Sequence, residues 1–169
     1  PISKKISVLM VTGVYFPEIN GAVLQCMKII SLLRDNLQFI VLSATKNKNL
    51  LKNRSVEGID VYRSSVSNNR FFYFSQLFSI IFFFIGNREK FDIVHLHGFS
   101  SKSAFIIVLS KIFRKKIIIK LTSFGHDDPE SVKRKGKILF SLYQFADSYI
   151  GVSPIFYKSY SKLNLETKK

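Results

Sequence analysis

The chain has 169 residues, enough for one domain with a real core and too few for two ordinary ones. An apolar content of 47% with only 8 Gly and 4 Pro excludes a disordered or fibrous chain, and the single cysteine, Cys26, excludes an internal disulfide and any cysteine-cluster metal site. The 26 Lys and Arg against 11 Asp and Glu leave a net charge of +15, which calls for a polyanionic neighbour or a wide solvated surface.

One cysteine fits a reducing compartment. Pro1-Ile2-Ser3-Lys4-Lys5 leads straight into the first strand with no cleavable signal, so the expected location is cytoplasmic. The basic residues are dispersed: Lys46/Lys48/Lys52/Arg54, Arg114/Lys115/Lys116, Lys133/Arg134/Lys135/Lys137 and Lys158/Lys162/Lys168/Lys169. Such scattered clusters read as solvated surface, or as the footprint of nucleic acid, anionic lipid or a phosphorylated substrate.

Ile6–Val11 is an apolar run that reads as a strand buried on both faces. A loop with Gly13, Pro17 and Asn20-Gly21 follows, then a helix over Gly21–Arg34. The polar positions Gln25, Lys28 and Asp35 recur at helical spacing, so this helix is expected to be largely covered. Leu37–Ala44 is a second strand, Thr45–Arg54 a basic loop, and Gly58–Ser64 alternates like an exposed or edge strand. Phe71–Gly86 (FFYFSQLFSIIFFFIG) is the most hydrophobic segment. As a helix it spans roughly 24 Å at ~1.5 Å per residue, short of the ~30 Å of a bilayer core, so it is not expected to cross a membrane. Ser75, Gln76 and Ser79 share one arc and leave a wide aromatic face, either buried between the sheet and another element or dipping into a membrane interface.

The remainder repeats one unit. Phe91–His97 is a strand, Ser100–Phe113 a helix, Lys116–Thr122 a strand, Glu130–Phe145 a helix, Ser148–Val152 a short strand, and Pro154 a helix start. Alternating apolar strands and helices predict an α/β fold: one Rossmann-like domain over 1–169, a parallel sheet with helices on both faces. In such sheets ligands sit beyond the carboxyl ends of the strands. The positions to search are therefore Gly13–Gly21, His95–Ser101, Thr122–Asp128 and Ser153.

Strand, glycine-containing loop and helix start at Val8–Lys28 place bare backbone N–H groups where an anion can meet them. The loop has neither GxGxxG nor GxxxxGK[ST], which counts against a nicotinamide dinucleotide or a P-loop nucleotide. Asn20-Gly21 reads equally well as a helix cap and turn. His95 and His97, two apart in one strand, are expected on opposite faces and so unable to chelate one metal together. His95 then reads as internal and hydrogen-bonded, and His97, beside Gly98 at the strand end, as lining a site. In Thr122–Pro129 (TSFGHDDP), Asp128-Pro129 reads as an N-cap followed by proline at the first helical position. Gly125 allows close approach of backbone to ligand. His126 beside Asp127 is left to act as a base or to bind sugar hydroxyls. Ser153-Pro154 reads as another helix start. No nucleophile elbow or metal-ligand spacing occurs, so no metal is expected.

Together these residues resemble the N-terminal half of retaining GT-B glycosyltransferases of family 4. The resemblance rests on Tyr15-Phe16-Pro17…Asn20-Gly21-Ala22, Asp92-Ile93-Val94-His95-Leu96-His97-Gly98, Lys120-Leu121-Thr122…Gly125-His126-Asp127-Asp128-Pro129, and Ala146-Asp147…Gly151-Val152-Ser153. Each motif is weak alone; order and spacing match over nearly the whole chain. The family's first loop usually has two adjacent glycines whose amides approach the donor's diphosphate. Here Asn20 replaces the first and Gly21 keeps the second, so Gly13, Asn20 and Gly21 are the implied donor-phosphate residues. His97, Gly98, Gly125 and Asp128 are the implied acceptor-binding residues, and His126 and Asp127 the implied catalytic pair. The family often places a histidine two residues before the aspartate of this loop; this chain has Phe124 there, with His126 next to Asp127.

The resemblance also implies a nucleotide-sugar donor as substrate, no cofactor and no metal. It implies a donor-binding C-terminal domain, in cis or as a separate chain, since the family's interdomain linker would begin where this chain stops at Lys169; this half alone is not expected to turn over. A glycan or lipid-linked acceptor in cell-surface polysaccharide or glycolipid biosynthesis is expected. The dispersed charge and the aromatic segment would hold the protein peripherally against an anionic cytoplasmic leaflet, each nearby basic residue adding about 1 kcal/mol. A nucleic-acid-binding module has only net charge in its favour, because the aromatics lie in apolar runs rather than between Lys and Arg; nucleic acid is not an expected partner. A nucleotide-dependent oxidoreductase lacks its glycine fingerprint. A non-catalytic subunit that recruits a separate glycosyltransferase half remains as an alternative.

Overall fold

The computed structural model describes residues 5–47, 49–50, 53–65 and 70–163, and the side chains of all of these except 53 and 70–73. Lys48, Lys52, Lys168 and Lys169 of the predicted basic clusters, and the side chain of Phe71, lie outside the described residues. Two compact units form, one up to Val94 and one from His95.

The first unit holds β1 (Ser7–Val11), α1 (Gly21–Leu33), β2 (Gln38–Thr45), β3 (Asn53–Val56), β4 (Ile59–Ser65) and α2 (Arg70–Asn87), then a 3-10 turn over Arg88–Lys90. Its strand order is β3-β4-β2-β1. β1 pairs parallel with β2 (Val8 opposite Phe39), and β2 pairs parallel with β4 (Val41 opposite Val61). Apolar residues on one face meet α1: Val8, Met10, Phe39, Val41 and Val61 cluster with Val23, Cys26 and Ile30. Val23, Cys26 and Ile30 lie at helical spacing, so α1 buries one stripe only. This corrects the expectation of a largely covered helix, for Leu24 and Leu32 on its other sides are exposed.

Successive strand residues alternate between faces, so Tyr62 points away from the face Val61 serves, and it meets α2. The Tyr62 and Phe83 rings pack edge-on at 4.8 Å, and Phe83 and Phe84 contact Phe91. Phe84 and Phe91 are fully buried, each such ring contributing about 2 kcal/mol by transfer from water. The arc of Ser75, Gln76 and Ser79 splits. Gln76 is buried and its Nε2 donates to Ser64 Oγ at 3.0 Å, while Ser75 and Ser79 are exposed. Phe74, Phe78, Phe82 and Ile85 form an exposed stripe. One face of this helix is thus buried, as the first reading expects, and the other is exposed. No helix among the described residues is long and apolar enough to cross a membrane.

β4 is not the edge strand expected. Asn53–Val56, of which Asn53 and Arg54 are expected in the basic loop, forms β3 and pairs antiparallel with it through a Glu57-Gly58 turn with φ of 50° and 80°. Two positive φ values are what a tight hairpin turn requires.

β5 (Ile93–His97) crosses the boundary between the units. The second unit continues with α3 (Ser101–Ile112), β6 (Lys116–Leu121), α4 (Pro129–Lys135), α5 (Lys137–Tyr143), β7 (Ser148–Gly151) and α6 (Pro154–Lys162). Its strand order is β5-β6-β7, with β6 and β7 parallel. Ile117, Ile119 and Leu121, spaced by two, are fully buried. Asp147 ties the start of β6 down: its carboxylate accepts from the Ile117 N–H at 2.8 Å and Lys111 Nζ at 3.0 Å. Ser100 and Ser103 close a reciprocal cap at the start of α3. The single helix expected over Glu130–Phe145 is two, because Gly136 interrupts it with φ of 140°, a conformation that an L side chain adopts only under strain. The described residues are therefore α/β and Rossmann-like, a seven-stranded sheet in which β1 with β2, β2 with β4, and β6 with β7 pair parallel and β3 pairs antiparallel with β4.

Candidate functional site

In the first unit, β1 ends at Val11 and the loop to α1 begins. Tyr15 turns inward and packs in the core, and burial, with Cys26 and Glu57 adding, pushes its hydroxyl pKa up to about 12. The rest of the loop stays out: Gly13, Phe16, Pro17, Ile19 and Asn20 are exposed. Asn20 is the N-cap of α1, its Oδ1 accepting from the Val23 N–H at 2.9 Å. Its side chain is therefore committed to the helix, and the groups left to meet a ligand are the early backbone N–H donors at Gly21 and Ala22. A Cβ on Gly13 or Gly21 would meet nothing within 4 Å, so the space beside the loop is open. Gly13 is otherwise held by its carbonyl, which accepts from the Ala44 N–H at 3.2 Å.

The second unit carries the other candidates. His97 ends β5, and its ring lies 4.6 Å from that of His95. The expectation of opposite faces is overturned: side chains alternate with period two, so residues two apart share a face. Both rings are buried. Burial, then Lys120, holds His95 down at about 4; burial, then His95 and Lys120, hold His97 at about 3. Both imidazoles are neutral at pH 7, and His95 Nε2 and both His97 nitrogens lack hydrogen-bond partners. His95 is internal as expected, but its Nε2 lacks the hydrogen bond expected of it. Although the two rings share a face, no group of three or more His, Cys, Asp and Glu able to hold a metal occurs among the described residues.

Gly98 follows with φ of 88°, its N–H donating to the Lys120 carbonyl at 2.8 Å. A Cβ there would stand 3.1 Å from Thr122 Oγ1 and 3.5 Å from Asp127 Oδ2, so glycine is what lets this turn approach the next loop. In that loop Asp127 is buried and accepts three bonds: Thr122 N–H at 2.8 Å, Thr122 Oγ1 at 2.9 Å and Ser123 N–H at 2.9 Å. Its carboxylate folds the loop back on itself and has little left for a substrate. Asp128 caps α4 as expected, accepting from Ser131 N–H at 3.0 Å and from Gly125 N–H at 2.6 Å. Burial opposes its ionisation, but the bonds from Ser131 and Gly125 outweigh burial and hold the carboxyl below its ordinary value. Gly125, with φ of 86°, makes the bend. His126 is exposed, its carbonyl bonded by Lys135 Nζ at 2.6 Å. Of the expected catalytic pair, His126 has a ring free to reach a ligand, and Asp127 braces the loop that carries it. Behind the loop, Tyr143 donates to the Asp127 carbonyl at 3.3 Å and shares a short bond with Tyr160. Ser153 starts α6 without a side-chain cap bond.

Sequence reasoning missed Arg63 in β4. It is 5% exposed; its Nη2 donates to the Phe16 carbonyl at 2.5 Å, and Nε and Nη1 have no partner. The signal was available, because Arg63 lies two residues from Val61 and so falls on the core face.

No protein-family model matches the chain, and none of the curated protein sequences does. Solved structures do match. A sucrose-phosphate synthase from Thermosynechococcus elongatus superposes with a TM-score of 0.62 at 11% identity, over 98% of this chain and 46% of that one. A UDP-GlcNAc 2-epimerase from Methanocaldococcus jannaschii gives 0.59 at 17% identity, over 96% and 43%. A lipopolysaccharide outer core galactosyltransferase, WaaB, gives 0.59 at 15% identity, over 93% and 42%. At these identities the likeness establishes the fold alone: a Rossmann-like domain of the GT-B type. The chain spans less than half the length of each of these proteins.

Proposed function

We propose that residues 1–169 are the N-terminal, acceptor-side domain of a retaining family 4 glycosyltransferase. The complete enzyme would move a sugar from a nucleotide-sugar donor to a glycan or lipid-linked acceptor in cell-surface polysaccharide or glycolipid synthesis. The observation that carries this reading is the start of α1: a capped helix N-terminus opening on free space at Gly21, at the carboxyl end of β1, in a GT-B type domain. Breaking the bond between sugar and diphosphate leaves negative charge on the departing phosphate. The N–H groups of Gly21 and Ala22, fixed in place by the Asn20 cap, stabilise that charge without reorganising. A C-terminal domain, in cis or as a separate chain, supplies the remaining cations and holds the nucleotide; no metal or cofactor is invoked. On the acceptor side, His97, Gly98 and the Gly125–Asp128 loop bind the acceptor, with His126 as the group that handles the proton of its hydroxyl and Asp127 holding the loop.

Titrating the 15N-labelled chain with UDP tests the donor part. Saturable amide shifts at Gly21 and Ala22, lost on Asn20→Ala, are expected; shifts spread over the basic surface and abolished by salt would overturn it. The exposed stripe Phe74, Phe78, Phe82 and Ile85 on α2, on a chain of net charge +15, supports attachment to an anionic membrane surface. Flotation with anionic but not neutral vesicles, weakened by Phe78→Ser with Phe82→Ser, is the expected result; equal flotation with both vesicle types counts against it.

A further inference from the structure

The loop over 122–129 is fixed in shape by its own bonds, but those bonds do not fix its place in the second unit. The carboxylates of Asp127 and Asp128 accept from Thr122, Ser123, Gly125 and Ser131, all within the loop or the first turn of α4. What reaches the loop from outside is α6, and it does so at the start, the middle and the end. Phe156, 3% exposed, meets Phe124 edge-on with ring centroids 5.7 Å apart. Tyr160 hydrogen-bonds Tyr143, whose hydroxyl donates to the Asp127 carbonyl at 3.3 Å. Lys162 Nζ lies 3.4 Å from Oε1 of Glu130, in the first turn of α4.

The three contacts differ in kind. Phe156 is itself held against β7, so close that a Cβ on Gly151 would stand 3.1 Å from Phe156 Cβ, and its ring gives Phe124 a fixed wall. A tyrosine hydroxyl has one proton to donate. That of Tyr143 goes to the Asp127 carbonyl, so the proton between the two hydroxyls is the one on Tyr160. Burial pushes the pKa of both hydroxyls up, so both keep their protons. The Lys162–Glu130 pair is exposed on the lysine side and adds little. His126 falls between the first two anchors, its carbonyl bonded by Lys135 Nζ at 2.6 Å and its ring exposed.

We propose that α6 positions the His126 ring, with Phe156 and Tyr160 as the positioning residues, acting through Phe124 and through Tyr143 on Asp127. A fully bonded polar loop is rigid within itself, so anchors on either side of residue 126 fix where its ring stands and how it is turned. The inference rests on the glycosyl-transfer reading only for the use to which His126 is put. Within that reading, displacing α6 displaces the group that handles the acceptor's proton.

The test follows the carbon-bound proton signals of the His126 ring, together with the loop amides, in the 13C,15N-labelled chain. Tyr160→Phe removes one hydroxyl and keeps the ring, so a change at His126 does not come from a lost ring current. The expected result is a shift of the His126 ring signal beyond its linewidth in Tyr160→Phe and again in Phe156→Leu. The amides of residues 123–128 follow it, and those of Ile117 and Ile119 in β6 stay in place. Tyr157→Ala, on the exposed side of the same helix, leaves His126 unmoved. Should Phe156→Leu not fold, Tyr160→Phe decides alone. A His126 signal that stays in place in either folded variant overturns the proposal. A shift shared equally by β6, or matched by Tyr157→Ala, overturns it as well, in favour of general loosening. Methyl glucoside, methyl galactoside and methyl N-acetylglucosaminide, added to the unaltered chain, test the underlying reading separately. If no glycoside moves the His126 ring while Tyr160→Phe does, the acceptor part of that reading falls and this inference stands. If a glycoside moves the ring and Tyr160→Phe does not, the reading stands and this inference falls.

Discussion

The two loops at the strand ends are built on opposite plans. The loop over 122–129 in the second unit spends its polar groups on itself: Asp127 takes three bonds, Asp128 takes two, and Tyr143 holds the Asp127 carbonyl from behind. The loop over 12–20 in the first unit uses Asn20 for the cap of α1 and leaves Arg63 Nε and Nη1 and Glu18 Oε2 unpaired around it. A loop that satisfies itself is a rigid support for whatever side chain it displays, here His126. A loop that does not leaves charged groups beside it without partners in the fold. Folded proteins pair nearly all their buried polar groups, so the exceptions are where binding is to be sought.

The largest effect expected is on stability against pH. His95 and His97 have folded pKa values of about 4 and 3 against an ordinary 6.5, so below 6.5 the unfolded chain binds protons that the folded chain refuses. Stability is complete above the unfolded value and falls as pH drops toward 4, by about 3 kcal/mol for each imidazole. Urea unfolding at pH 7 and pH 4 measures this, and a double His→Gln variant flattens the difference if the second unit's strand end is the source.

Next, Asp127→Ala strips the self-satisfied loop of its brace and is expected to cost about 3 kcal/mol, from donors left without a charged acceptor. Arg63→Met in the other loop removes a buried charge along with one bond, and is expected to cost less than about 1 kcal/mol. Equal losses in the two variants would break the contrast between the loops. Asn20→Ala is expected to cost about 1 kcal/mol in denaturant for a lost cap, with UDP binding reduced in the same variant, so Arg63→Met is the smallest stability effect of the three.

Much of this was legible beforehand, and for plain reasons. The apolar runs that became β1, β2, β5 and β6 are continuous because buried parallel strands have no wet face. Asp128-Pro129 announced the start of α4 because proline at the first helical turn gives up an N–H that has no partner anyway. The misses have physical causes too. β3 is Asn-Arg-Ser-Val, too polar to register as a strand, and only the Glu57-Gly58 turn betrays it. Gly136 sits inside an otherwise helical pattern and was passed over, although its conformation divides α4 from α5. The expectation of opposite faces for His95 and His97 conflicts with a strand period of two, which puts residues two apart on one face. Arg63 reads as surface within Val-Tyr-Arg-Ser unless the same period is applied from Val61. What no pattern in the sequence carries is whether a buried charge has found its partners.

The β3–β4 hairpin has a consequence for solubility. In the first unit β3 pairs with β4 and, among the described residues, with no other strand, which leaves its other side as a strand edge with hydrogen-bonding groups open to a second chain. That edge is four residues long, and Arg54 on it is exposed. A short, charged edge is a poor template for adding another strand, which matters for a domain so rich in aromatic and aliphatic residues. Exchanging Arg54 for a β-branched apolar residue would remove that guard and favour strand-to-strand association between molecules at high concentration.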